Sequence, residues 1–318
     1  VITFIADLHL SINNRLDDFK KVLIEQIVPE ANKSKKFYIL GDIYHDRRPH
    51  PLEMNVFRDF LLLLKIPTLI IVGNHDKNLT SSTIDEILKW NLPNLTVQYP
   101  PYVDECEGLT LYLDHDMIEG AKLGPSNISL DVKGARKVSQ LPKTFEGHDG
   151  IKKIDFYLFG HIHKAQIINK EPLVLYVGSI DHIDFAERNE DKFLFQIDET
   201  TKKYGYKKLI TRPMIQIELD LGKEEYMFTA DTTDAIVKVV VTGTKAQIGK
   251  FNEGPIREAC KNSLRYSLLY RIIRENIIRS ESVNESKNSK ECFKEYAKLN
   301  QFSEEEVRRG MEILGEHP

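Results

Sequence analysis

Five short apolar runs in this chain each end at residues that can bind a metal ion, and few folds accommodate such a pattern. Val1-Ile2-Thr3-Phe4-Ile5 leads to Asp7 and His9, and Phe37-Tyr38-Ile39-Leu40 leads to Gly41-Asp42. Thr68-Leu69-Ile70-Ile71-Val72 runs into Gly73-Asn74-His75-Asp76. Leu109-Thr110-Leu111-Tyr112-Leu113 leads to His115, and Phe156-Tyr157-Leu158-Phe159 to Gly160-His161-Ile162-His163. Runs of this length, rich in β-branched and aromatic residues and bounded by turn residues, read as buried strands. In α/β sheets, ligand groups gather at the carboxyl ends of the strands. The five ends therefore predict one shared site. Its Asp, Asn and His side chains suit Mn, Zn or Fe rather than a structural thiolate zinc.

Between the runs the pattern turns helical. Leu16, Phe19, Leu23 and Ile27 share a helical spacing, Pro51 opens a second helix through Met54, Phe57, Phe60 and Leu61, and a third is predicted at Thr83–Trp90. This alternation gives the fold class as α/β, a mainly parallel sheet with helices on its faces. Residues 119–150, richer in Gly, Pro, Ser and Lys, read as loop or insertion, and strand signals return at 154–159, 173–177 and 193–197. From about 214 onward the chain reads as a second domain: a strand at Ala235–Val241, a helix at 245–261, and an apolar run from Tyr266 to Ile273 that closes a β-α-β unit. The polar stretch 281–290 reads as a flexible linker. Two short helices follow, with Phe293, Tyr296 and Leu299 lining one and Val307, Met311 and Leu314 the other, and Ser303 with Glu306 forms a capping-box signature. The predicted organisation is thus 1–212, 213–280, a linker at 281–290 and a helical hairpin at 291–318.

Net charge is −4, so any nucleic-acid surface has to be a local patch. The candidate is the cluster Lys261, Arg265, Arg271, Arg274 and Arg279, opposed only by Glu275. Such a cluster can track DNA phosphates, although many are simply solvated faces. Cys106, Cys260 and Cys292 are far apart and lack metal spacing, which points to a reduced, cytoplasmic chain. No stretch approaches the roughly 20 apolar residues that a membrane span needs. The first residues read as a strand, not as a signal peptide.

Taken singly, each ligand motif is ordinary turn chemistry. Their common position after strands makes the set specific. Alternate residues of an extended segment point the same way, so Asp7 and His9 can face one ion. The Asp42 carboxylate has two oxygens and is placed to bridge two. Imidazoles and an amide oxygen add ligands without excess negative charge, which keeps the ions Lewis-acidic toward phosphate. Two ions about 3.5–4 Å apart can activate a water and stabilise the charge of an in-line displacement. The implied reaction is phosphoester hydrolysis.

In order, Asp7-x-His9, Gly41-Asp42, Gly73-Asn74-His75-Asp76, His115 and Gly160-His161-x-His163 resemble the calcineurin-like metallophosphoesterase pattern. Three longer stretches resemble its SbcD-type branch, the meiotic-recombination nucleases. They are Gly41 to Pro49, Gly160 to Gln166, and Tyr176 to Ile180 followed by Phe185 to Lys192. The match covers about residues 1–200. The resemblance implies a four-layer metallophosphoesterase sandwich, a smaller α/β capping domain over DNA, and the C-terminal helical hairpin. It implies that one ion takes Asp7, His9, Asp42 and His163, and the other Asp42, Asn74, His115 and His161. His75 would contact the scissile phosphate and help the leaving oxygen, and His45 would position DNA for exonuclease action. His115 departs from the pattern in its long separation from His161. His50, His148, His182 and His317 read as surface or structural residues. The function implied is a Mn-dependent DNA exonuclease and endonuclease, a homodimer docked through its C-terminal helices to an SbcC-type ABC ATPase. The alternatives are a protein or nucleotide phosphatase on the same fold, or a non-catalytic scaffold.

Overall fold

The computed structural model describes residues 1–11, 15–77, 83–123, 128–129, 134–147, 149–223, 230–273, 289–300 and 302–313. The described chain divides into two compact units. One comprises Val1–Ile217, Thr229–Lys238 and Ile256–Ser267, and the other Glu218–Phe228, Val239–Pro255 and Leu268–Pro318.

In the first unit the apolar runs become neighbouring strands. Ile2–Ile5, Lys36–Leu40, Thr68–Ile71 and Leu95–Gln98 pair in parallel, in that order. Lys192–Ile197 and Tyr204–Leu209 extend the sheet antiparallel on the other side of Ile2–Ile5. In a second sheet, Leu109–His115, Phe156–Gly160 and Leu173–Tyr176 run parallel, with antiparallel edges at Tyr102–Cys106 and Gln166–Lys170. Successive strand residues point to opposite faces. Ile5, Phe37, Ile39 and Ile70 therefore enter a core beneath the helices, whereas Phe4, Tyr38, Leu40 and Ile71 enter a core shared with Leu111, Leu113, Leu158 and Leu175 of the second sheet. The outer face of that second sheet carries Tyr112, Tyr157, Phe159 and Tyr176, covered by Ile118, Ala121, Leu141 and Ile154. The first unit is thus a mixed α/β sandwich.

Helices cover one face of the first sheet and a second sheet covers the other, the layered sandwich that the resemblance implies, whereas the strand–helix alternation by itself suggests helices on the faces. A strand that is apolar on both sides shows that both are buried, but not what buries them. The 119–150 stretch, read as loop or insertion, is an insertion: its strand Thr144–Gly147 pairs with Gly150–Lys153, and its Ala121 and Leu141 help to cover the second sheet. The first predicted helix is continuous but changes pitch, from Leu16–Lys21 through a π-helical Val22–Ile27 to Val28–Ala31. Pro29 has no N–H to donate to the preceding turn, where the wider winding occurs. The second helix, Pro51–Leu63, begins at Pro51 as expected and is capped by His50, whose ring accepts from Leu52 N at 3.2 Å.

Farther along, Met214–Asp220, Ile236–Gly243 and Arg265–Ile272 form a three-stranded sheet. The helix expected at 245–261 is two short ones, Lys245–Lys250 and Gly254–Ala259. Gly254 and Pro255 explain the break, since proline is tolerated only in a helix's first turn. The C-terminal helices are Ser289–Leu299 and Glu304–Ile313. The capping box forms, with Ser303 N donating to Glu306 Oε2 at 2.8 Å. Phe302 packs edge-on against Tyr296 at 5.7 Å, and Ala297 and Met311 are buried. Most of the expected linker, together with Leu314, lies outside the described residues. Among the described residues, no helix is long and apolar enough to cross a membrane.

Candidate metal centre

Parallel pairing sets the geometry of the site. The strands ending at Ile5, Leu40 and Ile71 are in register, as are those ending at Gly160 and His115, so the loops of each sheet leave at one end, and the clusters that join Asp42 to His115 and Asp7 to His163 bring the two ends together. The first two loops continue pairing past their strands: Asp7 N donates to Gly41 O at 3.1 Å and His9 N to Asp42 O at 2.9 Å. His161 N donates to Asp7 Oδ1 at 2.8 Å and His75 N to Asp42 Oδ1 at 2.9 Å, so each carboxylate also fixes a second loop. Asp7, His9, Asp42 and His161 all have positive φ, between 45° and 90°. Non-glycine residues rarely adopt this region, and such strain concentrates at functional sites. Gly41 shares it at 83°, and a Cβ there would meet His115 Nδ1 at 2.4 Å.

Three groupings bring ligand atoms within 4.8 Å of one another: Asp7 with His9 and His163; Asp42 with His115 and His161; and His9 with Asp42 and His75. His115, distant in sequence from the others, has Nε2 3.1 Å from both Asp42 Oδ2 and Asn74 Oδ1. Asn74 Oδ1 also lies 2.8 Å from His161 Nδ1, so all seven candidate ligands converge. The sequence reading gave His75 no ligand role. Its Nδ1 lies 2.6 Å from His45 O, and its ring meets that of His9 at 5.0 Å, beside exposed His45.

The donor set fits divalent cations. Asp7 Oδ2 and His9 Nδ1 are buried and lack any hydrogen-bond partner, an arrangement native interiors seldom tolerate. His115 Nδ1 donates to Leu40 O at 2.8 Å and His163 Nδ1 to Glu187 Oε1 at 2.7 Å, which leaves each Nε2 lone pair facing the site. Two carboxylates against two dications would leave net positive charge for a phosphate.

Titration of the side chains by themselves shows the same strain. Burial pushes Asp7 up to about 6, against the pull of His115 and His163. Burial and the neighbouring His163 push His9 down to about 3. Burial also opposes ionisation of Asp42, but the His115 hydrogen bond and charge outweigh it and hold the carboxyl well below the usual range. Burial likewise disfavours the His115 cation, yet Asp42 and Asp7 raise it to about 9. A proton there partly does the work of a cation.

Supporting residues were not singled out by sequence. Glu187 holds His163 and also accepts from Lys192 Nζ at 2.6 Å, with Lys192 itself buried. Burial opposes the Glu187 charge, but His163 and Lys192 hold it at about 2. Asp76 accepts from Gly73 N and Ile43 N, which ties two ligand loops together. Arg136, from the insertion, spans Asp114 and Asp116 on either side of His115. Glu187 and Asp76 sit inside the resembling motifs, but only folding shows what each touches.

The proposed DNA-contact residues are less concentrated. Lys261 pairs with Glu258, Arg271 lies 3.9 Å from Glu218, Arg265 is exposed, and Arg274 falls outside the described residues. His182 is buried with Nε2 2.9 Å from Glu190 O, a structural position, and His148 and His317 lie outside the described residues.

An α/β sandwich with clustered carboxylates and imidazoles at its strand ends defines the class as a metal-dependent hydrolase. Residues 1–165 match the family described as calcineurin-like phosphoesterase, more than half of the 318 residues. The chain belongs to that family. It is also similar to the crystal structure of nuclease MPE from Pseudomonas putida, at 16% identity and a TM-score of 0.34, over 56% of this chain and 74% of that one. That likeness is too distant to bear on function.

Proposed function

We propose that this chain is a Mn-dependent DNA nuclease, the exonuclease and endonuclease subunit of an SbcCD-like repair or recombination complex. The observation that carries the reading is the rim of the metal centre. His45 and His75 stand 5.7 Å and 5.0 Å from the His9 ring, and exposed Arg47 and Arg48 come two and three residues after His45, past exposed Asp46. An open rim carrying imidazoles and guanidinium groups suits a polyanionic backbone, whose phosphates supply most of the affinity. Four imidazoles among the ligands favour a softer ion than Mg.

Two divalent ions, when bound, supply Lewis acidity and an activated water for in-line attack on a phosphodiester. Asp7, His9, Asp42 and His163 would hold one ion, and Asp42, Asn74, His115 and His161 the other. Glu187 and Leu40 O keep His163 and His115 in the tautomer that offers Nε2. His75 donates Nδ1–H to His45 O, which fixes its ring, and with Nε2 also protonated it would donate to the scissile phosphate or the leaving oxygen. His45 orients the DNA end. The C-terminal helices would dock the ATPase subunit, with Tyr296 and Phe302 exposed at 37% and 38% as contact groups.

The test is hydrolysis of end-labelled single- and double-stranded DNA with Mn and with Mg, alongside p-nitrophenyl phosphate. Chelator-sensitive DNA cleavage, strongest with Mn, is expected. Turnover of the small ester with intact DNA would assign the chain to the phosphatases instead. Inertness toward both with two ions bound would favour the scaffold.

A further inference from the structure

The first unit carries a second cavity, at the opposite end of the sandwich from the metal centre. Its volume is about 770 Å³. It lies where the Phe156–Gly160 and Leu173–Tyr176 strands begin, whereas the metal ligands lie where they end. The length of the Phe156–Gly160 strand separates the two by ~13 Å or more. Pockets for drug-sized ligands span about 300–1,000 Å³, so one small molecule fits.

The wall and the rim differ in chemistry. Leu141, Ile154, Phe156, Tyr157 and Leu173 form an apolar wall, each less than a tenth exposed. The rim carries four lysines, Lys143, Lys153, Lys170 and Lys202, against two carboxylates, Asp155 and Glu171, a surplus of two positive charges. Asp155 is already engaged: it accepts from Lys202 Nζ at 2.7 Å and from Thr110 N at 2.9 Å. The ammonium groups of Lys143, Lys153 and Lys170 form no ion pair or hydrogen bond among the described residues. Three uncommitted cations thus ring an apolar cavity that no residue of the metal centre touches.

We propose that this cavity binds a small amphiphilic anion, a molecule with an extended apolar body and a single carboxylate head. The body would displace water from the Leu141–Ile154–Leu173 wall, a gain proportional to the apolar area covered. The head would sit among Lys143, Lys153 and Lys170, whose surplus charge a neutral head would leave uncompensated. The combination selects charge and chain together.

The full-length chain is titrated with dodecanoate by calorimetry, and with dodecyl maltoside as the neutral probe, both below their micellar concentrations. Saturable binding of one dodecanoate per chain is expected, with no comparable binding of the maltoside. The three lysines are exposed, so Lys143→Gln, Lys153→Gln and Lys170→Gln combined should fold normally and retain the metal content of the parent. That variant should bind dodecanoate at least about tenfold more weakly, a factor equivalent to about 1.4 kcal/mol. Absence of saturable dodecanoate binding would overturn the proposal. So would equal affinity for the neutral probe, or unchanged affinity in the triple variant.

Discussion

Replacing Glu187 with glutamine should weaken both the metal centre and the fold, and the two effects should separate. The carboxylate is 7% exposed and makes two strong contacts, to His163 Nδ1 at 2.7 Å and to Lys192 Nζ at 2.6 Å. Its folded-state pKa is depressed from 4.5 to about 2, a difference worth about 3 kcal/mol. The sign follows from linkage: a depressed carboxylate stabilises fully above about 4.5, and the contribution is lost as pH falls toward about 2. The Glu187→Gln change keeps the shape of the side chain but removes its charge, which takes the nearer carboxylate from a Lys192 that is only 2% exposed and leaves it Ser179 Oγ at 2.9 Å and the Glu190 carboxylate at 3.7 Å. Breaking a buried pair costs about 3–5 kcal/mol when the remaining charge has no other partner, and the Glu190 carboxylate puts the loss here at or below the lower end. Denaturant unfolding in chelator at neutral pH reads this loss. Metal affinity, read by competition with a chromophoric chelator, should fall by about 10–100-fold, the usual effect of removing a carboxylate that orients a ligating imidazole. Adding Lys192→Met removes the poorly compensated charge and should restore part of the stability, but not the affinity. Parental metal affinity in the stable double variant would refute the claim that Glu187 acts through His163.

Asp42→Ala should lose both ions by elemental analysis, whereas His75→Ala should retain metal and lose about a hundredfold or more in DNA hydrolysis; normal turnover of His75→Ala would contradict its assigned role. Gly160→Ala places a Cβ 2.0 Å from Leu40 O and 2.7 Å from His115 Nδ1, so it should abolish metal binding, and a variant that binds normally would show the strand ends to be less tightly packed. Asp7 and His115 titrate near 6 and 9, so metal uptake should release protons and strengthen as pH rises across that window, measured in weakly buffered indicator. Removal of the chain from Ser289 onward should spare Mn-dependent nuclease activity and abolish co-purification with the ATPase subunit, and equal recovery of the complex would show that the hairpin serves its own unit.

The sequence by itself determined where the strands end and what stands there. Apolar runs such as Thr68–Val72 declare buried strands because a two-faced burial requires apolar residues on both sides, and the ligands after them are local in the chain. Helix starts were legible where the signal is also local, at Pro51 and at Ser303 with Glu306. Tertiary structure decided what depends on residues far apart in sequence. Nothing in the runs says that a second sheet, rather than helices, covers Phe4 and Tyr38. Nothing around His115 says that its Nε2 will lie beside Asp42, because only the register of two different sheets sets that distance. Glu187 acquires its part from a bond to His163, and Lys192 from burial beside Glu187; both are invisible until the loop after Tyr176 folds back. The cavity ringed by Lys143, Lys153 and Lys170 likewise forms from segments that neighbour one another only in space. Composition and pattern are properties of a segment, whereas burial, tautomer and charge pairing are properties of a neighbourhood, and the neighbourhood is made by packing.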